Sequence, residues 1–234
     1  MLQEKCYLCG TLMSRKLDQS KKMNYSDGIT TLIFDLGGVI VNLDWDLCVN
    51  NFKKISVNNM DSLISTTLQK GFILEYERGE ISSDDFRREV RKYASEKVSD
   101  EEINYAWTSL LVDAPEEKLQ LLLDLKKKYR IFMLSNTNEL SFEHCRKSFF
   151  SHNGHQIEDY FDKCYLSYKM RMNKPDPDIF EALLKDAGLK AEECLFLDDG
   201  IHNIKTASEL NFKTEYIEPY SSASEWDFLK HLKK

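Results

Sequence analysis

The 234-residue sequence has no block of lysine and arginine interleaved with aromatics; its 32 basic and 39 acidic side chains are spread along the chain, for a formal net charge of −7. Nucleic acid is therefore not an expected partner. No apolar run reaches the roughly 18 residues that a membrane span needs, and the N-terminus has no continuous apolar region of the kind that marks a secretory signal. No membrane partner is expected either. An even cysteine framework is also missing: Cys6, Cys9, Cys48, Cys145, Cys164 and Cys194 are scattered, and two of them fall in expected strands. That usage suits reduced thiols in a cytoplasm. What is present is a 42% apolar, 30% charged composition, on a chain long enough to bury a sizeable core. An acidic protein of this kind can still take an anionic small molecule where a metal ion supplies local positive charge.

The chain is organised around Thr31-Leu32-Ile33-Phe34-Asp35-Leu36-Gly37-Gly38-Val39-Ile40-Val41. The apolar, β-branched run reads as a buried strand of a parallel sheet. It halts at a lone carboxylate, and open α/β sheets bind ligands at that edge. An Asp in this place also suits a turn or a helix cap, so the later segments decide. Residues 1–28 form a polar lead with little periodicity; Cys6 and Cys9 in it would be half a zinc site with no second pair at suitable spacing. Translation beginning at Met23 would account for this whole lead.

Residues 44–112 read as helices throughout. Met60, Leu63, Ile64 and Leu68 share one helical face. Ser82 with Asp85, and Ser99 with Glu102, read as capping boxes. The helices they open turn Phe86, Val90, Tyr93 and Ala94, and then Ile103, Ala106, Trp107, Leu110 and Leu111, inward. A strand–helix alternation then resumes: a helix over 115–129 with Leu119, Leu122 and Leu123 inward, a strand over 130–134 ending at Ser135-Asn136-Thr137-Asn138, and a strand over 163–167. Lys174 stands one residue before an expected helix start at Pro175, a position opposed by the helix dipole unless the lysine faces an anion. The strand Cys194-Leu195-Phe196-Leu197 ends in Asp198-Asp199-Gly200. Two adjacent carboxylates at the end of a buried strand repel each other, and a divalent cation removes that cost. A strand over 214–217 closes the sheet, and residues 221–234 read as a short amphipathic tail.

These four sheet edges, in this order and with a helical insertion after the first, resemble the haloacid dehalogenase superfamily over about residues 30–218. Phe34-Asp35-Leu36-Gly37-Gly38-Val39, Leu134-Ser135-Asn136-Thr137-Asn138, Lys174-Pro175-Asp176 and Leu197-Asp198-Asp199-Gly200-Ile201-His202-Asn203-Ile204 are similar to its four motifs. Tyr76-Glu77-Arg78-Gly79-Glu80-Ile81-Ser82 looks like the branch holding sugar-phosphate phosphatases and the phosphatase domain of soluble epoxide hydrolases. The resemblance implies an α/β fold with a Rossmann-like parallel core (29–43 and 113–220) and an inserted helical cap (44–112). It implies a magnesium-dependent phosphatase of a small phosphorylated metabolite. In that role Asp35 is the nucleophile, Lys174 pairs with Asp35 and substrate, and Ser135 and Asn136 bind phosphoryl oxygens. Magnesium is held by Asp35, the carbonyl of Gly37, and Asp198, with Asp199 as a ligand or just behind one.

The sequence departs from the superfamily at Gly37, where most of its phosphatases carry a second Asp serving as acid and base. A sugar 1-phosphate, whose leaving oxygen is less basic, would suit that loss. Lys169 and Arg171 depart too, adding positive charge before Lys174. A halidohydrolase would share Asp35 but has no use for Asp198 and Asp199 together. A phosphonate hydrolase would need a cap amine such as Lys53 or Lys54. A non-catalytic phosphate-binding module remains a further alternative. Oligomeric state is not encoded in these motifs.

Overall fold

In the computed structural model, residues 28–60, 71–151 and 153–231 are described. The chain order is β1 (Thr31–Phe34), β2 (Asn42–Leu43), α1 (Trp45–Lys54), α2 (Phe72–Glu77), α3 (Ser83–Arg91), α4 (Asp100–Thr108) and β3 (Leu111–Asp113). It continues with α5 (Glu116–Lys126), β4 (Arg130–Ser135), α6 (Glu139–Ser148), α7 (Ile157–Tyr160), β5 (Lys163–Leu166) and α8 (Ser167–Met170). Last come α9 (Pro177–Ala187), β6 (Cys194–Asp198), α10 (Ile201–Glu209), β7 (Lys213–Tyr216) and a 3₁₀ segment, Ala223–His231. The Cys6–Cys9 pair and Leu63, Ile64 and Leu68 lie outside the described residues.

Five parallel strands form one sheet in the order β5-β4-β1-β6-β7. The chain runs outward from β1 in one direction to β4 and β5, and in the other to β6 and β7. That reversal leaves a crevice at the carboxyl ends of β1 and its neighbours. Every residue of β1 is buried, which explains its unbroken apolar pattern. Register sets the edge: Phe34 pairs with Met133 on one side and Leu197 on the other, so Asp35 is level with Leu134 and Asp198. The Asp35 N–H still donates to the Leu197 carbonyl at 2.9 Å. Separate apolar clusters cover the two faces, one around Leu32, Phe34 and Met133, the other around Ile33, Phe132 and Phe196.

Helices α1 to α4 lie between β2 and β3, a two-stranded antiparallel ribbon. They bury their own cluster, in which Tyr76 stacks on Phe86 with ring centroids 4.6 Å apart and Phe86 meets Trp107 at 4.9 Å. Both expected capping boxes form, each satisfying N–H groups that the first turn leaves orphaned. The apolar stripe expected to run on through Leu111 breaks after Thr108, because Leu111 pairs with Leu43 in the ribbon. On α5 the most buried leucines are Leu121, Leu122 and Leu125 with Leu119, while Leu123 is half-buried.

The segment from Ser221 onward, expected as a short amphipathic tail of little diagnostic value, sends Trp226 and Leu229 into the core. Trp226 is 1% exposed and stacks on Phe34 at 5.7 Å, its indole N–H donating to Ser221 Oγ at 3.2 Å. Beneath it Lys118 is buried; its ammonium donates to the Val39 carbonyl at 2.6 Å and sits 4.9 Å from the Trp226 ring centre. Such a cation–π contact offsets part of the desolvation cost. Trp226 thus seals the core beside the segment that follows Asp35, a link that sequence periodicity does not show.

Candidate active site

Asp35, Ser135, Lys174 and Asp198 come together at the carboxyl edge and are all buried. The Lys174 ammonium lies 2.6 Å from Asp198 Oδ2 and 2.9 Å from Asp35 Oδ1. Burial lowers the affinity of this amine for its proton, but the Asp198 and Asp35 carboxylates outweigh burial and hold it above the usual lysine range. The lysine is therefore a fixed positive charge. Its helix begins later than expected: α9 starts at Pro177 with Asp176 as N-cap, so Lys174 sits three residues ahead of the helix and faces two carboxylates.

Asn136 explains how Lys174 is placed. Its amide nitrogen donates to the Lys174 carbonyl and its amide oxygen accepts from the Lys174 N–H, both at 2.8 Å. The Asn136 side chain, expected on a phosphoryl oxygen, is thus spent on the Lys174 backbone, although the residue still lines the cavity. Ser135 Oγ makes only a 3.5 Å contact with the Asn136 carbonyl, so its hydroxyl is lightly held. Thr137 is anchored by Ser167, whose Oγ accepts from the Thr137 N–H and donates to its carbonyl, each at 2.9 Å.

The three carboxylates differ in their surroundings. Asp198 Oδ1 accepts from the Gly200 N–H at 2.7 Å and Asn203 Nδ2 at 2.8 Å, while Oδ2 takes Lys174. Asp35 Oδ1 accepts from the Leu36 N–H at 2.7 Å and from Lys174. Burial, and then the neighbouring acids against the pull of Lys174, push the Asp35 carboxyl up to about 7. Burial and the Asp198 charge likewise raise Asp199 to about 6. Asp199 approaches the loop after β1 so closely that a β-carbon on Gly38 would fall 2.0 Å from Asp199 Oδ2; Gly38, with φ +77°, is required there on both counts.

Oxygens of Asp35, Asp198 and Asp199 all lie within 4.8 Å of one another. Three acids facing one lysine leave an uncompensated negative charge in a buried pocket, and an all-oxygen donor set suits a hard divalent cation such as magnesium. The residues fit that ion.

This cluster floors a cavity of about 420 Å³ whose wall includes Gly37 and Asn203 and whose roof carries Trp45, Leu74, Glu77 and Trp107. Trp107 was assigned only to the core; it is buried, lines the cavity and donates from Nε1 to Asn138 Oδ1 at 3.2 Å. Glu77 escaped the sequence reading as a site residue. Its one local signal was a carboxylate on the last residue of a helix, where the dipole disfavours negative charge. Lys169 and Arg171, expected to add charge near the phosphate site, are exposed and lie outside the cavity wall; the Lys169 ammonium stands 5.7 Å from the Phe142 ring centre. Lys53 and Lys54 are not in the wall either.

Comparisons with known proteins agree with this architecture. A haloacid dehalogenase-like hydrolase family profile matches residues 29–211. A D-ribitol-5-phosphate phosphatase of Bacteroides thetaiotaomicron is 37% identical over 186 residues, 80% of this chain and 90% of its own. A wild-type enzyme of the same family and organism, crystallised with magnesium and inorganic phosphate, superposes with a TM-score of 0.81 at 42% identity, covering 85% of this chain and 99% of that one. A protein of Porphyromonas gingivalis described as a predicted HAD-like family hydrolase does so with a TM-score of 0.81 at 31% identity, over 89% of this chain and 100% of the other. The chain belongs to the haloacid dehalogenase-like hydrolases.

Proposed function

We propose that this hydrolase is a magnesium-dependent phosphatase of a small phosphorylated polyol or sugar, acting through an aspartyl-phosphate on Asp35. The observation that carries the reading is the cluster of Asp35, Lys174, Asp198 and Asp199 at the floor of the cavity. The relatives named above, one a sugar-alcohol phosphate phosphatase and one holding magnesium with phosphate, support it.

Asp35 presents a carboxylate whose Oδ1 is held by Leu36 and Lys174, which leaves Oδ2 to attack phosphorus. Lys174 keeps Asp35 oriented and offers positive charge to the incoming phosphoryl oxygens. The lightly held Ser135 hydroxyl would take a phosphoryl oxygen, with Asn136 in the cavity wall beside it and its side-chain amide fixing Lys174. Asp35, Asp199 and the Gly37 carbonyl would hold magnesium, with Asp198 a further ligand or the anchor of Lys174. Bound there, magnesium neutralises phosphoryl charge, so an anionic nucleophile can approach an anionic ester. In the second half of the cycle water attacks the phosphorus, releasing phosphate and restoring the Asp35 carboxylate.

Helices α1 to α4, within residues 44–112, would act as a cap over a core of 29–43 and 113–220, excluding bulk water and selecting the alcohol. D-ribitol 5-phosphate is the ester of an ordinary primary alcohol, so a terminal phosphate stands beside a sugar 1-phosphate as a candidate. A halidohydrolase would leave the Asp198–Asp199 pair and its buried repulsion without purpose. Free, buried thiols at Cys48, Cys145 and Cys194 suit a reducing cytoplasm, and no helix among the described residues is long and apolar enough to cross a membrane.

The test is phosphate release from polyol phosphates, sugar 1-phosphates and sugar 6-phosphates, with and without magnesium, for wild type and Asp35→Asn. Release that needs both the ion and Asp35 supports the reading. Halide release from haloacids in its place, or tight phosphate binding with no turnover, contradicts it.

A further inference from the structure

Cleaving the ester of an ordinary alcohol expels an alkoxide, too basic to leave unprotonated at neutral pH; a positioned acid contributes about 10²–10⁴ in rate. At the cavity floor the titratable groups are engaged. Lys174 is held charged between Asp35 and Asp198, and Asp199 belongs to the cation site. Gly37 has no side chain, and a β-carbon there would press on Leu43 Cδ1 at 3.2 Å. Elsewhere in the wall, His202 and Tyr216 stand at the exposed rim, and Glu77 hangs from the roof.

Glu77 is registered over the floor by its neighbours on both sides. Tyr76 Oη accepts from the Leu140 N–H at 3.2 Å and shares a hydrogen bond with Ser83 Oγ at 2.7 Å. Ser83 Oγ in turn donates to Glu139 at 2.5 Å. Arg78 pairs with Asp176 at 3.3 Å. Gly79, with φ +62°, lies so near the Tyr168 carbonyl that a β-carbon would come within 2.1 Å of its oxygen. These four contacts tie the chain around Glu77 to the sheet domain, and Glu77 itself lines the cavity. The charges that reach it are Asp35 and Lys174.

Building on the phosphatase reading above, we propose that the Glu77 carboxyl gives its proton to the leaving oxygen and, as carboxylate, takes one from the water that ends the cycle. As the Asp35 Oδ–phosphorus bond forms, the phosphorus–oxygen ester bond breaks. Its electron pair stays on the alcohol oxygen, which receives the Glu77 proton and departs as the alcohol. Water then attacks phosphorus, its proton passes to Glu77, and the bond to Asp35 breaks, yielding phosphate with both carboxyl groups in their starting states. Burial first, then the Asp35 charge, raise Glu77 to about 8 against the pull of Lys174. Burial thus favours the acid form, the one able to donate a proton.

The experiment is first-turnover alcohol release by the magnesium-loaded full chain, from p-nitrophenyl phosphate and from an alkyl ester such as D-ribitol 5-phosphate. Glu77→Gln, which keeps the side chain's shape, should slow release from the alkyl ester by about 10²–10³ and slow nitrophenol release far less. It should also abolish the alkaline fall in kcat/KM for the alkyl ester, and Glu77→Asp should recover part of the rate. Equal slowing for both leaving groups, no slowing, or the same selectivity in His202→Asn instead overturns the assignment. A wild type inactive on both esters overturns the phosphatase reading with it, whereas an active wild type with a flat Glu77→Gln response overturns only the role of Glu77.

Discussion

At the floor of the cavity, Asp35, Ser135 and Asp198 are fixed by the ends of three adjacent parallel strands, and Lys174 by backbone hydrogen bonds to Asn136. At the roof, Leu74, Glu77 and Trp107 come from short helices whose cluster is packed mainly against itself. Strand register positions the floor, so its groups can move only if the sheet moves. The roof is joined to the floor by a few contacts at its seam, those of Tyr76, Arg78, Gly79 and Trp107. On the proposed mechanism the nucleophile and its charge partner stand on the floor, while the proton donor Glu77 comes from the roof, so the two regions must stay in register for turnover.

Removing the reacting group of the floor should have the largest effect. Asp35→Asn is expected to lower phosphate release by about 10⁴–10⁶-fold, the scale seen when a covalent nucleophile is lost, with KM for the same substrates little changed. Steady-state kinetics checks both numbers. Next comes the support behind the floor: Trp226→Ala, which empties the space against Phe34, should cost about 3–5 kcal/mol of stability, read by denaturant unfolding. A loss under about 1 kcal/mol would return residues 221–234 to the status of a tail.

The third expectation concerns charge. Asp35 and Asp199 sit at about 7 and about 6 in the folded chain, above their ordinary value of 3.8. A carboxyl raised by folding binds its proton more tightly in the native state, so its contribution is present at low pH and is lost as pH rises through the folded value. In magnesium-free buffer the melting temperature should therefore fall between pH 5 and pH 8, by an amount on the order of a few kcal/mol in stability. Magnesium should restore it more at pH 8 than at pH 5, because the ion competes with those protons. Asp35→Asn should lessen the slope of the magnesium-free curve, leaving the part that Asp199 and Glu77 contribute.

The seam separates the two regions by smaller energies. Gly79→Ala places a β-carbon on the Tyr168 carbonyl in a left-handed conformation and should cost about 1–3 kcal/mol. Its activity loss should be steeper for alkyl than for aryl esters. Arg78→Ala removes an ion pair with Asp176 whose side chains are 35% and 57% exposed, worth under about 1 kcal/mol; thermal melts should barely register it.

The floor was legible in the sequence because a buried parallel strand announces itself as an unbroken apolar run, and a carboxylate at its end has few structural reasons to be there. Asp35, Ser135 and the Asp198–Asp199 pair were all found that way, and the structure brings them together with Lys174. The start of α9 was misplaced by two residues because Pro175 and Pro177 both suit a first turn, and only the Asp176 cap decides between them. For Asn136, expected to bind a phosphoryl oxygen, nothing local reveals that its side-chain amide closes on the Lys174 backbone 38 residues away. Glu77 and Trp226 were missed for a related reason. Each acts across the fold on residues distant in sequence, and neither periodicity nor capping chemistry encodes such a contact.

The central claim, a covalent phosphoryl group on the floor, is tested most directly by acid quenching the magnesium-loaded enzyme during turnover and locating the modification by peptide mass spectrometry. The account expects one phosphoryl group on the peptide that contains Asp35, absent from Asp35→Asn and accumulating in Glu77→Gln supplied with an aryl ester. An enzyme that turns over with that peptide unmodified, or with the phosphoryl group on another residue, would contradict it.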